Sequence, residues 1–75
     1  MNKYQNLGGN SNVAYYSSST DSITVQFNDG SIYLYNYPVS GKYNVDEMIR
    51  LANYGSGLNS YIGRVVKKRY ARKLR

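Results

Sequence analysis

The clearest periodic pattern in the chain runs from Ser22 to Phe27, where Ile23, Val25 and Phe27 alternate with Thr24 and Gln26. Period two places three apolar side chains on one face of a half-buried strand. Asn28, Asp29 and Gly30 follow, and Asp-Gly between two strand patterns signals a hairpin, because glycine reaches the positive φ that such turns demand. Ser31 to Tyr37 reads as the return strand, ended by Pro38, which has no N–H to give a ladder. Upstream, Val13 to Tyr16 is a short strand and Ser17 to Asp21 its polar connection.

Two registers compete at this hairpin. A two-residue turn centred on Asp29 and Gly30 pairs Phe27 with Ile32 and Val25 with Leu34, which leaves Tyr33, Tyr35 and Tyr37 on the outer face beside Gln26 and Thr24. A three-residue turn with a bulge at Gly30 pairs Val25 with Tyr33 and Ile23 with Tyr35, and turns Ile32 and Leu34 outward. The local apolar pattern favours the first, with Ile23, Val25, Phe27, Ile32 and Leu34 as the core set.

Helical spacing takes over after Pro38. Asn44 stands as an N-cap with Glu47 placed to bond back to it, and Asp46 and Glu47 suit the positive end of the helix dipole. Val45, Met48, Ile49 and Ala52 follow the i, i+3, i+4, i+7 rule up to a stop at Gly55. Leu58, Tyr61, Ile62 and Val65 repeat the spacing, which predicts a second helix from near Ser56 into the C-terminal run. Gly63 inside it costs roughly 1 kcal/mol relative to Ala. Met1 to Ser11 carries little apolar content before Gly8, Gly9, Asn10 and Ser11, and reads as a flexible leader. The expected architecture is α+β, a three-stranded antiparallel meander packed on one face by two short C-terminal helices. It spans residues 12–66 between the leader, 1–11, and a basic extension of the last helix, 67–75.

Length and composition narrow the chemistry. A chain of 75 residues is one small domain, which buries only ~60% of its unfolded surface. There is no Cys and no His, so a disulfide framework, a thiolate metal site and the usual general base are all missing. No apolar run approaches the ~20 residues of a membrane span, and the first residues lack a signal-peptide stretch; the chain reads as a cytoplasmic protein. Ten Tyr stand against one Phe and no Trp, and a tyrosine ring serves equally in a half-wet core and on a binding surface.

Charge is concentrated at one end. Seven of the ten basic residues, Arg64, Lys67, Lys68, Arg69, Arg72, Lys73 and Arg75, lie in the last twelve positions with no acidic residue among them. Such a run makes a local positive field that attracts polyanions. On a helix, Arg64, Lys68, Arg72 and Arg75 would share one face, and Val66, Tyr70 and Leu74 an apolar stripe. That stripe has no Trp or Phe to enter a lipid boundary, which argues against a membrane surface. The plainer reading is a solvated helix end whose cations complement the dipole.

The order strand, strand, Asp-Gly turn, Tyr-x-Tyr strand and two Gly-Ser-linked helices resembles the KTSC domain family, found alone in bacteria and phages and at the C-terminus of some lysyl-tRNA synthetases. The residues that carry the resemblance are Ser11-Asn12-Val13, Val25-x-Phe27-x-x-Gly30, Tyr33-Leu34-Tyr35, Tyr43, Gly55-Ser56, Leu58-Asn59 and Ile62. They span roughly residues 11 to 70. What the resemblance implies is a small binding domain, with RNA suggested by the synthetase fusion. The chain departs from the family where Leu58 replaces an aromatic and where the basic run from Lys67 to Arg75 replaces a mixed polar stretch.

No catalytic inventory is visible. Asp29 sits in a turn, Asp46 and Glu47 start a helix, and Ser17, Ser18 and Ser19 have no histidine partner. Gly55-Ser56-Gly57 lacks the ending of a phosphate loop. The expectation is a non-catalytic module without cofactor or metal. Its basic helix would bind nucleic acid or a nucleoprotein complex, in the form of RNA or a single strand; Tyr33, Tyr35 and Tyr37 would offer stacking surface if they face outward, although packing of this row against the helices or a second copy is the favoured reading. The alternative is a small phage or mobile-element protein that binds a host protein machine, of the anti-CRISPR type, through the tyrosine-rich sheet. The oligomeric state is open.

Overall fold

The computed structural model describes residues 1–75. Antiparallel strands β1 (Asn2–Lys3), β2 (Val13–Ser18), β3 (Ser22–Phe27), β4 (Ile32–Asn36) and β5 (Arg72–Lys73) form one sheet in the order β1-β2-β3-β4-β5. Helices α1 (Tyr37–Ser40), α2 (Lys42–Tyr54) and α3 (Leu58–Tyr61) lie between β4 and β5, and a π-helical turn, Ile62–Val66, continues α3. The fold is α+β, with the meander widened at both edges by strands that the sequence pattern did not predict.

The central hairpin adopts the bulged register. Val25 pairs with Tyr33 and Ile23 with Tyr35, and the three-residue turn closes with Gly30 N–H donating to Phe27 O at 2.9 Å and Phe27 N–H to Ser31 O at 2.9 Å. Gly30 takes φ +90°, the left-handed conformation this bulge needs. The expectation that Tyr33 and Tyr35 face outward is therefore corrected. Tyr35 is a core residue, 2% exposed, while Ile32 and Leu34 are half-buried on the opposite face. Phe27 is also only half-buried, edge-on to Tyr33.

Packing explains why this register wins. Tyr35, Ile23, Met48 and Leu58 are the largest fully buried side chains; two aliphatics in place of Tyr33 and Tyr35 would leave volume unfilled in a core this small, and voids are costly. Val13 and Tyr16 are also buried, although residues three apart on a regular strand face opposite sides. The register shift between Val13 and Tyr15 inserts one extra residue and returns both side chains to the core face.

Helix α2 starts two residues before the expected cap, behind Gly41. Asn44 instead bridges elements: its Nδ2 donates to Ser40 O at 2.8 Å and its Oδ1 accepts from the Tyr61 hydroxyl at 2.7 Å. Val45, Met48 and Ala52 are buried as the spacing predicts, and Gly55 ends the helix in the left-handed conformation with its N–H on Leu51 O at 2.9 Å. Pro38 does more than stop β4. It occupies the first turn of α1, where its missing N–H has no partner to lose, and Asn36 caps that turn by accepting from Val39 N–H at 3.1 Å.

Both chain ends are docked. The first eleven residues are not a loose leader, because β1 pairs with β2, Tyr4 is 2% exposed, and the Tyr4 hydroxyl accepts from Leu58 N–H at 3.3 Å. Leu7 N–H reaches Gly55 O at 2.7 Å. At the other end the basic run does not extend a helix. The π-helical turn closes with Lys67 N–H on Ile62 O at 2.6 Å, Lys67 takes φ +54°, and the chain turns back to β4. There Ala71 N–H donates to Leu34 O at 2.7 Å and Leu74 N–H to Ile32 O at 2.7 Å, so the edge groups of β4 are paired rather than left bare.

Candidate nucleic-acid interface

The returning C-terminal segment and the β3–β4 turn enclose an open groove of about 550 Å³. Its floor is aromatic. The Tyr33 ring lies edge-on to Phe27 at 5.7 Å between centroids and to Tyr70 at 4.7 Å, and Tyr70 also meets Tyr35 at 6.4 Å. Edge-to-face contacts of this kind are favourable because the positive rim of one ring meets the negative face of another. Tyr70 is held in place from both sides. Ser40, itself buried, donates through Oγ to Arg69 O at 2.5 Å, and Ala71 is tied to β4 as described.

Lys67 and Lys68 line the groove together with the polar residues Asn12, Asn28, Asp29 and Ser31. Lys73 sits opposite Tyr33 in the β4–β5 ladder, its Nζ 5.7 Å from the centre of the Tyr33 ring. The Asp29 carboxylate accepts from Ser31 N–H at 2.9 Å and from the Ser31 hydroxyl at 2.6 Å. These two hydrogen bonds, aided by the charge of Lys73, hold its carboxyl below the usual carboxylate range. Burial pushes the Tyr35 hydroxyl up to about 12, with neighbouring Tyr33 and Tyr70 adding to the effect.

The expected site residues are thus redistributed. Lys67 and Lys68 come together with Tyr33 and Tyr35 in the lining of the groove, and Lys73 lies against the Tyr33 ring. Tyr37 leaves the set: its hydroxyl donates to Asp46 Oδ1 at 2.5 Å, beneath Lys42, whose Nζ is 5.5 Å from the ring. Arg64 is exposed on the π-helical turn, Arg69 contributes its carbonyl to Ser40, and Arg72 and Arg75 lie on the β5 edge. All seven cations are free of carboxylate partners; the ion pairs of the domain are Lys42–Asp46 and Arg50–Glu47. The single helical face of Arg64, Lys68, Arg72 and Arg75 does not exist, since the segment is a turn and a strand.

Sequence reasoning missed Tyr70, Asn28, Asp29 and Asn12 as groove residues. Tyr70 carried a signal, being the only aromatic in the basic run. The others became neighbours of that run only through the fold. No helix is long and apolar enough to cross a membrane. Comparison with family models, with curated protein sequences and with solved structures finds no match for this chain.

Proposed function

We propose that this domain is a non-catalytic nucleic-acid-binding module for RNA or single strands, in which the C-terminal segment supplies both charge and aromatic surface. The observation that carries the reading is the placement of Lys67 and Lys68 in the groove lined by Tyr33 and Tyr70, with Lys73 against the Tyr33 ring. Cations track a phosphate backbone, and aromatic rings accept unpaired bases whatever their identity, so the two together favour a single strand over a duplex. A membrane surface is a poorer fit, because the aromatic rings are packed against one another inside a groove.

The test is a fluorescence anisotropy titration of a labelled single-stranded RNA at several salt concentrations. Three phosphate contacts on a single strand give a slope of log K against log salt of about −2. Replacing Lys67, Lys68 and Lys73 with Gln removes the binding and leaves the thermal midpoint within a few degrees, since exposed unpaired charges contribute little to folding. Absence of binding at low salt overturns the reading.

A second reading, a small phage or mobile-element protein that binds a host protein machine, draws on a different surface. Tyr15 is 41% exposed, and it shares the sheet face turned away from the buried side chains with half-buried Ile32 and Leu34. A pull-down from host extract with and without nuclease separates the two readings: a stoichiometric protein that survives nuclease supports the second.

A further inference from the structure

The groove brings three chemistries together: aromatic rings, the cations Lys67 and Lys68, and the polar side chains of Asn12, Asn28, Asp29 and Ser31. Its volume of about 550 Å³ falls within the range of small-ligand sites. Rings alone would suit any flat apolar molecule, and lysines alone any anion. A nucleotide needs both, and the polar side chains beside them bear on which base fits.

Asp29 uses Oδ1 for Ser31, while Oδ2 has no hydrogen-bond partner within the domain. Ionised, it is an acceptor only. Asn28 donates through Nδ2 to Ser11 O at 3.2 Å, so its Oδ1 also remains an acceptor. Two acceptors on consecutive lining residues suit a base edge with two adjacent donors. Guanine presents them on its Watson–Crick edge as N1–H and the N2 amino group, whereas uracil places one N–H between two carbonyl oxygens that a carboxylate repels, and adenine and cytosine offer one amino group beside an acceptor. Lys67 holds φ +54° and ψ −121°. A non-glycine residue in that conformation stores strain, which is tolerated where the surrounding structure demands it; here it closes the π-helical turn at a residue that lines the groove.

We propose that the groove is a subsite for one unpaired guanine nucleotide: the base lies on the Tyr33–Tyr70 floor, its Watson–Crick edge meets Asp29 and Asn28, and its phosphate meets Lys67 and Lys68. This rests on the nucleic-acid reading above and adds base preference to it. Arg64, Arg72 and Arg75, outside the groove, contribute charge without discrimination.

The experiment compares two labelled octanucleotides at low salt, oligouridine and the same strand with one central guanine, on the full chain and on Asp29→Asn. Asp29→Asn keeps an oxygen for Ser31 and exchanges the free acceptor for an NH₂ donor, and amide NMR spectra check that the fold is retained. Wild type is expected to bind the guanine strand about tenfold more tightly, the discrimination typical of a paired contact to a base edge. The variant is expected to bring the two strands to within about twofold, with oligouridine binding unchanged or stronger because a negative charge is gone. Tyr70→Leu, which removes a ring from the floor, likewise erases the preference and leaves the salt slope in place. Equal, salt-dependent binding of both strands by wild type overturns the guanine subsite and leaves the nucleic-acid reading standing. If neither strand binds, that reading falls, and guanosine monophosphate decides the subsite alone: shifts at Asn28, Tyr33 and Lys67 that uridine monophosphate does not produce support it, and their absence overturns it too.

Discussion

Tyr70 lies edge-on against Tyr33, ring centroids 4.7 Å apart and planes at 61°, and this contact makes the basic C-terminal run one wall of a groove. It adds to the backbone bonds of Ala71 and Leu74 to β4 in holding Lys67, Lys68 and Lys73 beside aromatic surface. Tyr70→Ala is expected to cost roughly 2 kcal/mol, about half the loss from emptying a fully buried aromatic site, because Tyr70 is only half-buried. Hydrogen exchange at Ala71 and Leu74, whose amides bond to β4, should accelerate by more than that at Val25 in the central strand. Uniform acceleration at all three would mean that Tyr70 stabilises the whole domain and not β5 in particular.

The N-terminal segment is expected to be part of the folding unit. Tyr4→Phe leaves Leu58 N–H without its acceptor and should cost about 1 kcal/mol. Tyr4→Ala empties a site that is 2% exposed and should cost on the order of 3–5 kcal/mol, against a total of ~5 kcal/mol for a domain at the low end of stability. Urea unfolding curves distinguish the two, and a Tyr4→Ala midpoint equal to wild type would show that β1 is dispensable.

Gly55 meets two demands at once. It holds φ +92°, and a Cβ there would lie 2.7 Å from Gln5 Cβ. Gly55→Ala is therefore expected to destabilise by more than the roughly 1 kcal/mol of an unfavourable backbone conformation alone. Gln5→Gly in the same chain should recover the clash and not the backbone strain, so that the double variant is more stable than Gly55→Ala yet below Gln5→Gly. Thermal melts of the three variants check the order.

Tyr35 gives the fold an alkaline limit. Its folded value, raised to about 12, exceeds the ~10 of an exposed tyrosine. Between these values the unfolded chain releases a proton that the folded chain keeps, so stability is complete below pH ~10 and falls as pH rises toward ~12. At pH ~11 the loss from this residue is on the order of 1 kcal/mol. Tyr35→Phe should flatten that part of the profile, measured as the thermal midpoint between pH 9 and 11. An unchanged alkaline slope would assign the effect to other tyrosines.

What the amino-acid order settles by itself is the part governed by near neighbours. The alternation of Ile23 and Val25 sets β3, the Val45–Met48–Ala52 spacing sets the buried face of α2, and Gly55 stops that helix, each because a period or a permitted φ is a local property. The concentration of positive charge at the C-terminus is likewise legible in the order of residues. The hairpin register is not, because the Asn28-Asp29-Gly30 turn accommodates either pairing, and only the volume beside Met48 and Leu58 decides that Tyr35 goes inward. The two chain ends lie equally beyond local rules. Lys67 to Arg75 has good helix formers, yet it leaves the helix at Lys67 because the open edge of β4 offers N–H and C=O groups that must be paired, while a helix would stack its six like charges along itself with no carboxylate to offset them. Tyr4 and Tyr70 find their partners far along the chain, at Leu58 and Tyr33. The groove is built from such long-range meetings, so its residues are visible in the sequence while the site they form is a product of the tertiary fold.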